Sequence, residues 1–336
     1  MLGTHRISDY QLVDLLRRAR QTDFGRWTKP DLHRALQNLG WNPRTTEVDI
    51  GMWRAETDYE TGQAIIDTFP AGMASPTGAE FCSIEVMVLR SAERGRQGEQ
   101  HRTQIFKESL RLLVHELGQP EVRGGDGGPW VRWYRDDLVF ELHLKRFHGG
   151  VMLRLLSPDD SEHLNAFNIR RGDVSGWSAF SKAWEHPMEP SVTDFDEFTD
   201  RLGVLMTDLA ADAAVFETGG SVVLRTNDWS ARYVAATVDD HLQVEASAAV
   251  GTTWRNAYAQ LPALGFRAPA GPVPTWNRVY AKSDRTNTAQ AAHMMVDALR
   301  AFGIGDLFDI VYEGFTRDGE RMYLPVLGIG NGFTAY

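Results

Sequence analysis

The chain has 336 residues, of which 43% are hydrophobic and 24% charged, the make-up of a soluble globular protein with two cores of ordinary size. Its net charge of -10 is uneven: residues 1–172 carry 23 Lys+Arg against 24 Asp+Glu, and residues 173–336 carry 12 against 21. An acidic second half excludes a phosphate backbone as its partner, the want of any apolar run near ~18 residues excludes a membrane span, and a single cysteine, Cys82, excludes an internal disulfide or a multi-thiolate metal site.

The start, Met1 to Arg6, runs into polar helix without a secretory apolar region, so the expected location is cytoplasmic. Ser8 caps a first helix that reaches about Arg20, and Thr28 caps a second, with Pro30 in its first turn and Gly40 at its end. Strand-like runs follow at Thr46–Ala55, Ala64–Phe69 and Phe81–Leu89. Gln97 to Leu117 is a long amphipathic helix stopped by Gly118 and Pro120. The glycine-rich turn Gly124–Gly128 leads to strands Trp130–Tyr134, Leu138–Leu144 and Val151–Leu156, the last two joined through His148-Gly149-Gly150. This gives a first domain over 1–157.

Residues 158–192 read as an ordered connector, punctuated by Gly172, Gly176, Pro187 and Pro190 but carrying Phe167, Trp177, Phe180 and Trp184, which need burial. A second domain, 193–336, opens with Thr193 as cap and Phe195, Phe198, Leu202, Leu205 and Leu209 at helical spacing. Strands are predicted at Ala214–Glu217, Ser221–Arg225, Arg232–Val238 and Leu242–Ser247. A helix over Thr253–Leu264, a strand at Trp276–Tyr280, a helix over Thr286–Phe302, and strands near Asp309–Thr316 and Met322–Leu327 complete it. Strands grouped in runs with helices between them indicate α+β: two domains, each an antiparallel sheet with packing helices. Leu39-Gly40-Trp41 and Leu264-Gly265-Phe266 echo each other, which fits either an internal duplication or two ordinary glycine helix caps.

No catalytic constellation emerges. The ten histidines do not cluster, and no HExxH, cysteine pair or EF-hand loop occurs, so neither metal nor cofactor is expected. Cys82 lies in an apolar strand, where an inert thiol is the rule. Gly124–Gly128 lacks a following GK[ST] and precedes a strand, which a phosphate-binding loop does not. The strand Asp137–His148 does place Glu141 and His143 on one face, as a base and its orienting partner would stand, with His148 beyond and His241 in another turn. The solvent face of an antiparallel strand gives the same alternation.

The C-terminal half carries a more telling set of residues. Leu264-Gly265-Phe266, Pro269, Trp276-Asn277-Arg278-Val279-Tyr280, an Ala/Met-rich helix ending Ala298-Leu299-Arg300, Tyr312-Glu313-Gly314-Phe315, Asp318-Gly319 and Leu324-Pro325-Val326-Leu327-Gly328 resemble the actinobacterial YbjN-type peptide-binding chaperone domains, similar in fold to type III secretion chaperones of the CesT kind. The N-terminal half resembles an uncharacterised actinobacterial domain found beside such modules. The resemblance implies a secretion-chaperone-like fold, a protein or peptide partner and no catalytic residues. An exposed sheet edge or helix-lined groove would take an extended segment, with Trp254, Trp276, Tyr280, Met294 and Met295 as its expected lining. Two other readings stand beside it. The acidic second half suits an immunity protein or inhibitor that caps a basic toxin, and Glu141 with His143 suits an enzyme with an unrecognised site. The oligomeric state stays open.

Overall fold

A computed structural model describes residues 4–49, 52–69, 75, 77–93, 95–125, 128–145, 150–158, 177–180, 192, 194–226, 232–247, 259–270 and 275–332. Two compact units make up the chain, one from residues 1–123 and 127–171, the other from 124–126 and 172–336. The division falls within the predicted connector, most of which lies outside the described residues.

In the first unit β1 (His5–Arg6) precedes α1 (Asp9–Gln21), which begins with a complete capping box. The Ser8 hydroxyl accepts from the Gln11 amide, and the Gln11 side chain accepts from the Ser8 amide in return. After α2 (Lys29–Asn38), Gly40 takes φ +77°, and the Trp41 amide reaches back to the Leu36 carbonyl, satisfying carbonyls the helix leaves open. The predicted strand Thr46–Ala55 is a hairpin of two, β2 (Asn42–Asp49) and β3 (Met52–Glu56), with Thr46 opposite Arg54. Its alternation reads the same for one strand as for two, so periodicity did not reveal the reversal.

β4 (Gln63–Thr68) and β5 (Phe81–Arg90) extend the meander, and α3 (Gly95–Leu117) follows. Beyond the short β6 (Val122–Gly125), strands β7 (Pro129–Tyr134), β8 (Val139–Lys145) and β9 (Gly150–Leu156) return to β5. The antiparallel order is β2-β3-β4-β5-β9-β8-β7, with β1 on the far end of β5. One face is apolar, with Ile66, Ile84, Leu155, Phe140 and Trp133 buried. It lies beneath α3, because the Trp133 indole N–H donates to Gly118 O at that helix's end at 2.8 Å.

In the second unit α4 (Phe195–Phe216) is capped by Asp194, whose carboxylate accepts from the Asp196 amide at 2.7 Å; the predicted cap, Thr193, lies outside the described residues. The predicted strand Ala214–Glu217 is the last turn of this helix. Val215 and Phe216 favour strands, and the helix stops on Glu217 at φ +58° with no glycine at that position to signal an end.

Strands β11 (Gly220–Thr226), β12 (Tyr233–Val238), β13 (Leu242–Ser247) and β14 (Thr275–Tyr280) form a meander. After α5 (Arg285–Ala301), β15 (Ile310–Thr316) inserts beside β11, and β16 (Arg321–Tyr323) follows. The residues predicted to extend that strand, Pro325–Leu327, make a 3-10 turn. β10 (Trp177–Phe180) pairs with β16, and the short parallel β17 (Gly330–Asn331) with β15. The order is β14-β13-β12-β11-β15-β16-β10.

The helices α4 and α5 cover one face of this sheet. They meet at small residues: a Cβ on Gly203 would lie 3.5 Å from Ala289 Cα, and the Thr207 and Thr288 hydroxyls are 2.7 Å apart. Each unit is thus an antiparallel sheet with helices on one face, the α+β class expected. The orders differ, however. The strand after the long helix joins the first strand of the meander in the second unit, whereas in the first unit that unit's last described strand, β9, joins the meander's last. The Leu-Gly-aromatic echo is a shared cap, which recurs a third time at Gly303 with the Ile304 amide on the Leu299 carbonyl.

Candidate functional site

The second unit presents one sheet edge that differs from the others. On its inner side β14 pairs with β13, Leu242 opposite Tyr280, Val244 opposite Arg278 and Ala246 opposite Trp276. On its outer side, among the described residues, it meets a single bridge. The Arg267 amide donates to Asn277 O at 2.7 Å, and the Asn277 amide donates to Arg267 O at 3.1 Å. Asn277 therefore turns its main-chain groups away from β13, and the two-residue repeat of a strand turns those of Thr275 and Val279 the same way. The Val279 side chain is 52% exposed. The opposite edge strand of this sheet is β10, paired with β16.

Trp276, Arg278 and Tyr280 share the other face of β14, since their partners Leu242, Val244 and Ala246 are buried beneath the helices. Arg278 lies over the Tyr280 ring, 4.6 Å from its centroid, and its Nη1 is 4.0 Å from the Met294 sulfur. The same guanidinium passes beside Gly265, at φ +94°, where any Cβ would stand 2.5 Å from Nη1. No carboxylate pairs with Arg278 among the described residues. Of the predicted lining, the structure thus gathers Tyr280 and Met294 around Arg278, with a half-buried Trp276 two residues along the strand. Tyr280 is 6% and Met294 4% exposed, so they form the floor of this notch. Met295 is 0% exposed and packs in the core, and Trp254 lies outside the described residues. Arg278 and Val279 were not predicted to take part; their place next to Trp276 on an outermost strand is the signal that marks them.

The other candidate cluster, Glu141 with His143, belongs to the first unit. The expected solvent face of β8 is a covered one. Glu141 is 1% exposed and stands in a cross-strand row with Arg132, Arg154 and Glu85. Arg132 Nε donates to it at 2.5 Å and Arg154 Nη1 at 2.9 Å, while Arg154 Nε forms an ion pair with Glu85 at 2.7 Å. That last contact is ionic without the alignment of a hydrogen bond. Burial works to raise the Glu141 pKa, but the charges of Arg132 and Arg154 outweigh it and hold the carboxyl well below the usual range. Such a carboxylate is a poor proton acceptor near neutrality. His143 Nδ1 is 3.7 Å from it, beyond hydrogen-bond reach. His148 lies outside the described residues. Burial pushes the Cys82 thiol up to about 12, which leaves no thiolate for chemistry at neutral pH. Among the described residues no group of histidine, cysteine and carboxylate side chains could hold a metal ion, and no helix is long and apolar enough to cross a membrane.

No curated protein and no solved structure gives a significant match to the chain. Residues 190–316, which carry α4, the meander β11 to β14, α5 and β15, match the family TY-Chap3, described as T3SS (YopN, CesT) and YbjN peptide-binding chaperone 3, so the C-terminal unit is similar to that family.

Proposed function

We propose that the protein is a non-enzymatic, chaperone-like binder that works in the cytoplasm and holds an extended segment of a protein partner along β14. The observation that carries this reading is the outer edge of that strand, where outward main-chain groups meet only Arg267 among the described residues. An incoming strand would displace this single bridge and add main-chain hydrogen bonds in register with Val279. Specificity would come from both faces. Val279 offers an apolar contact on the open side, and Trp276 with Arg278, over Tyr280 and Met294, offers an aromatic and cationic notch on the helix side. The family match over the same residues supports a peptide-binding role.

Val279→Pro tests the edge. Proline removes an N–H that points away from β13, so the ladder to β13 and the fold persist. Screened against an array of extended peptides, the full chain should capture a subset, and the proline variant should lose that subset by about tenfold or more. Equal capture by both chains refutes strand addition at β14. The acidic balance of residues 173–336 keeps a second reading, an immunity protein or inhibitor for one basic protein. Recovery of a single stoichiometric toxin from lysate, with no peptide bound on the array, selects it.

A further inference from the structure

The first unit holds a cavity that the peptide-binding reading does not use. The face of its sheet opposite α3 carries the row Arg132, Glu141, Arg154 and Glu85 across β7, β8, β9 and β5, and register continues that row to Ile65 on β4 and Arg54 on β3. Where the row passes Glu85 the ion pairs stop, and a cavity of about 660 Å³ opens over β3, β4, β5 and β9. That volume is in the range of small-molecule sites.

Its lining divides into two kinds. Met52, Ile65, Met87 and Met152 supply an apolar surface, three of them unbranched thioethers that adapt to an irregular chain. Gly150, opposite Arg90, keeps that surface continuous, because a Cβ there would stand 2.2 Å from the Met87 methyl. Around this surface stand Arg54, Arg90 and Lys145.

Of these cations the carboxylates in the same lining pair with Lys145, and with neither Arg54 nor Arg90 among the described residues. Glu85 is held by Arg154 at 2.7 Å, with Lys145 further off at 3.5 Å. Asp67 accepts from the Ser83 hydroxyl at 3.1 Å, and burial, with the nearby Glu85 charge, raises its pKa. Arg54 and Arg90 have no carboxylate partner among the described residues. Two unpaired guanidiniums at an apolar cavity favour an anionic group attached to an apolar body.

We infer that this cavity is a binding site for a small amphipathic anion, a carboxylate or phosphate on a hydrocarbon chain, with its head between Arg54, Arg90 and Lys145 and its chain over the methionines. The test is calorimetry on the full chain with octanoate, octyl phosphate, 1-octanol and octylamine. Both anions should bind, about tenfold or more tighter than octanol, the difference one charge-assisted contact makes, and octylamine should bind weakest. The double variant Arg54→Gln, Arg90→Gln alters two exposed side chains, so it should fold normally and bind octanoate no better than octanol. Ile65→Trp, which fills the cavity, should remove all four. Arg96→Gln, an exposed arginine outside the lining, should change nothing. Equal binding of octylamine and octanoate, unchanged octanoate binding in the double variant, or no binding of any probe overturns the assignment. So does binding confined to an acidic, apolar peptide such as acetyl-Asp-Leu-Phe-amide, which would give the cavity to a protein partner. The peptide array with Val279→Pro reads the second unit alone, so either result stands without the other.

Discussion

Replacing Glu141 by glutamine should destabilise the N-terminal unit more than any surface change in it. The carboxylate is 1% exposed and accepts from Arg132 at 2.5 Å and Arg154 at 2.9 Å. A neutral amide leaves Arg132 buried without a counter-charge and turns an N–H toward one of the guanidiniums. Breaking one partner of a buried ion pair costs about 3–5 kcal/mol. The loss should fall toward the lower end, because Glu85 still holds Arg154. At roughly 2–4 °C per kcal/mol for a unit of this size, the melting temperature should drop by about 6–12 °C. Differential scanning calorimetry would follow the transition, with amide hydrogen exchange along β8 to assign it to this unit. The double variant Arg132→Met, Glu141→Leu should recover most of the loss, since an apolar pair of similar volume replaces a buried ion pair at little cost. Acid gives a second readout. The Glu141 pKa is depressed in the folded state, so its contribution is fully present above the unfolded value of about 4.3 and is lost as pH falls below it. The native chain should therefore lose stability more steeply between about pH 5 and pH 3 than the double variant. A Glu141→Gln shift under about 2 °C would refute the ladder as a structural element.

Two further substitutions probe the C-terminal unit. Gly203→Ala should be neutral or stabilising by up to about 1 kcal/mol, because its Cβ meets Ala289 and Ala292 at 3.5 and 3.7 Å and removes a helix glycine, whereas Gly203→Leu should destabilise by forcing α4 and α5 apart; urea denaturation of both variants reads the sign. Tyr312→Phe removes the hydroxyl that accepts the buried Leu324 amide at 3.1 Å, and the orphaned N–H should cost about 1–3 kcal/mol in the same assay.

Elements marked by local chemistry were legible in the sequence: the Ser8 cap, the Gly40 and Gly265 stops, the long helices, and the grouping of strands that gave the α+β class. Elements whose limits depend on tertiary context were not. The reversal between β2 and β3 carries no distinct period, and the end of α4 at Glu217 carries no glycine. The face of β8 reads from sequence as ordinary solvent-facing alternation, because polarity alone does not tell a charged residue in water from one paired across strands. Arg132 and Arg154, on the strands either side of Glu141, are brought to it by register, which the sequence alone does not fix. At the proposed β14 site Trp276, Tyr280 and Met294 are expected from residue type alone. Arg278, which links two of them, and Val279, which opens the edge, follow from which strand lies outermost.

Amide hydrogen exchange of the full chain, with and without a peptide captured from the array, tests strand addition at β14 most directly. The account predicts that exchange at Val279 slows by about tenfold or more on binding, that Arg267 loses its bond to Asn277 and exchanges faster, and that β12 is unchanged. Protection confined to other strands or to the helices, with Val279 and Arg267 unaltered, would contradict it.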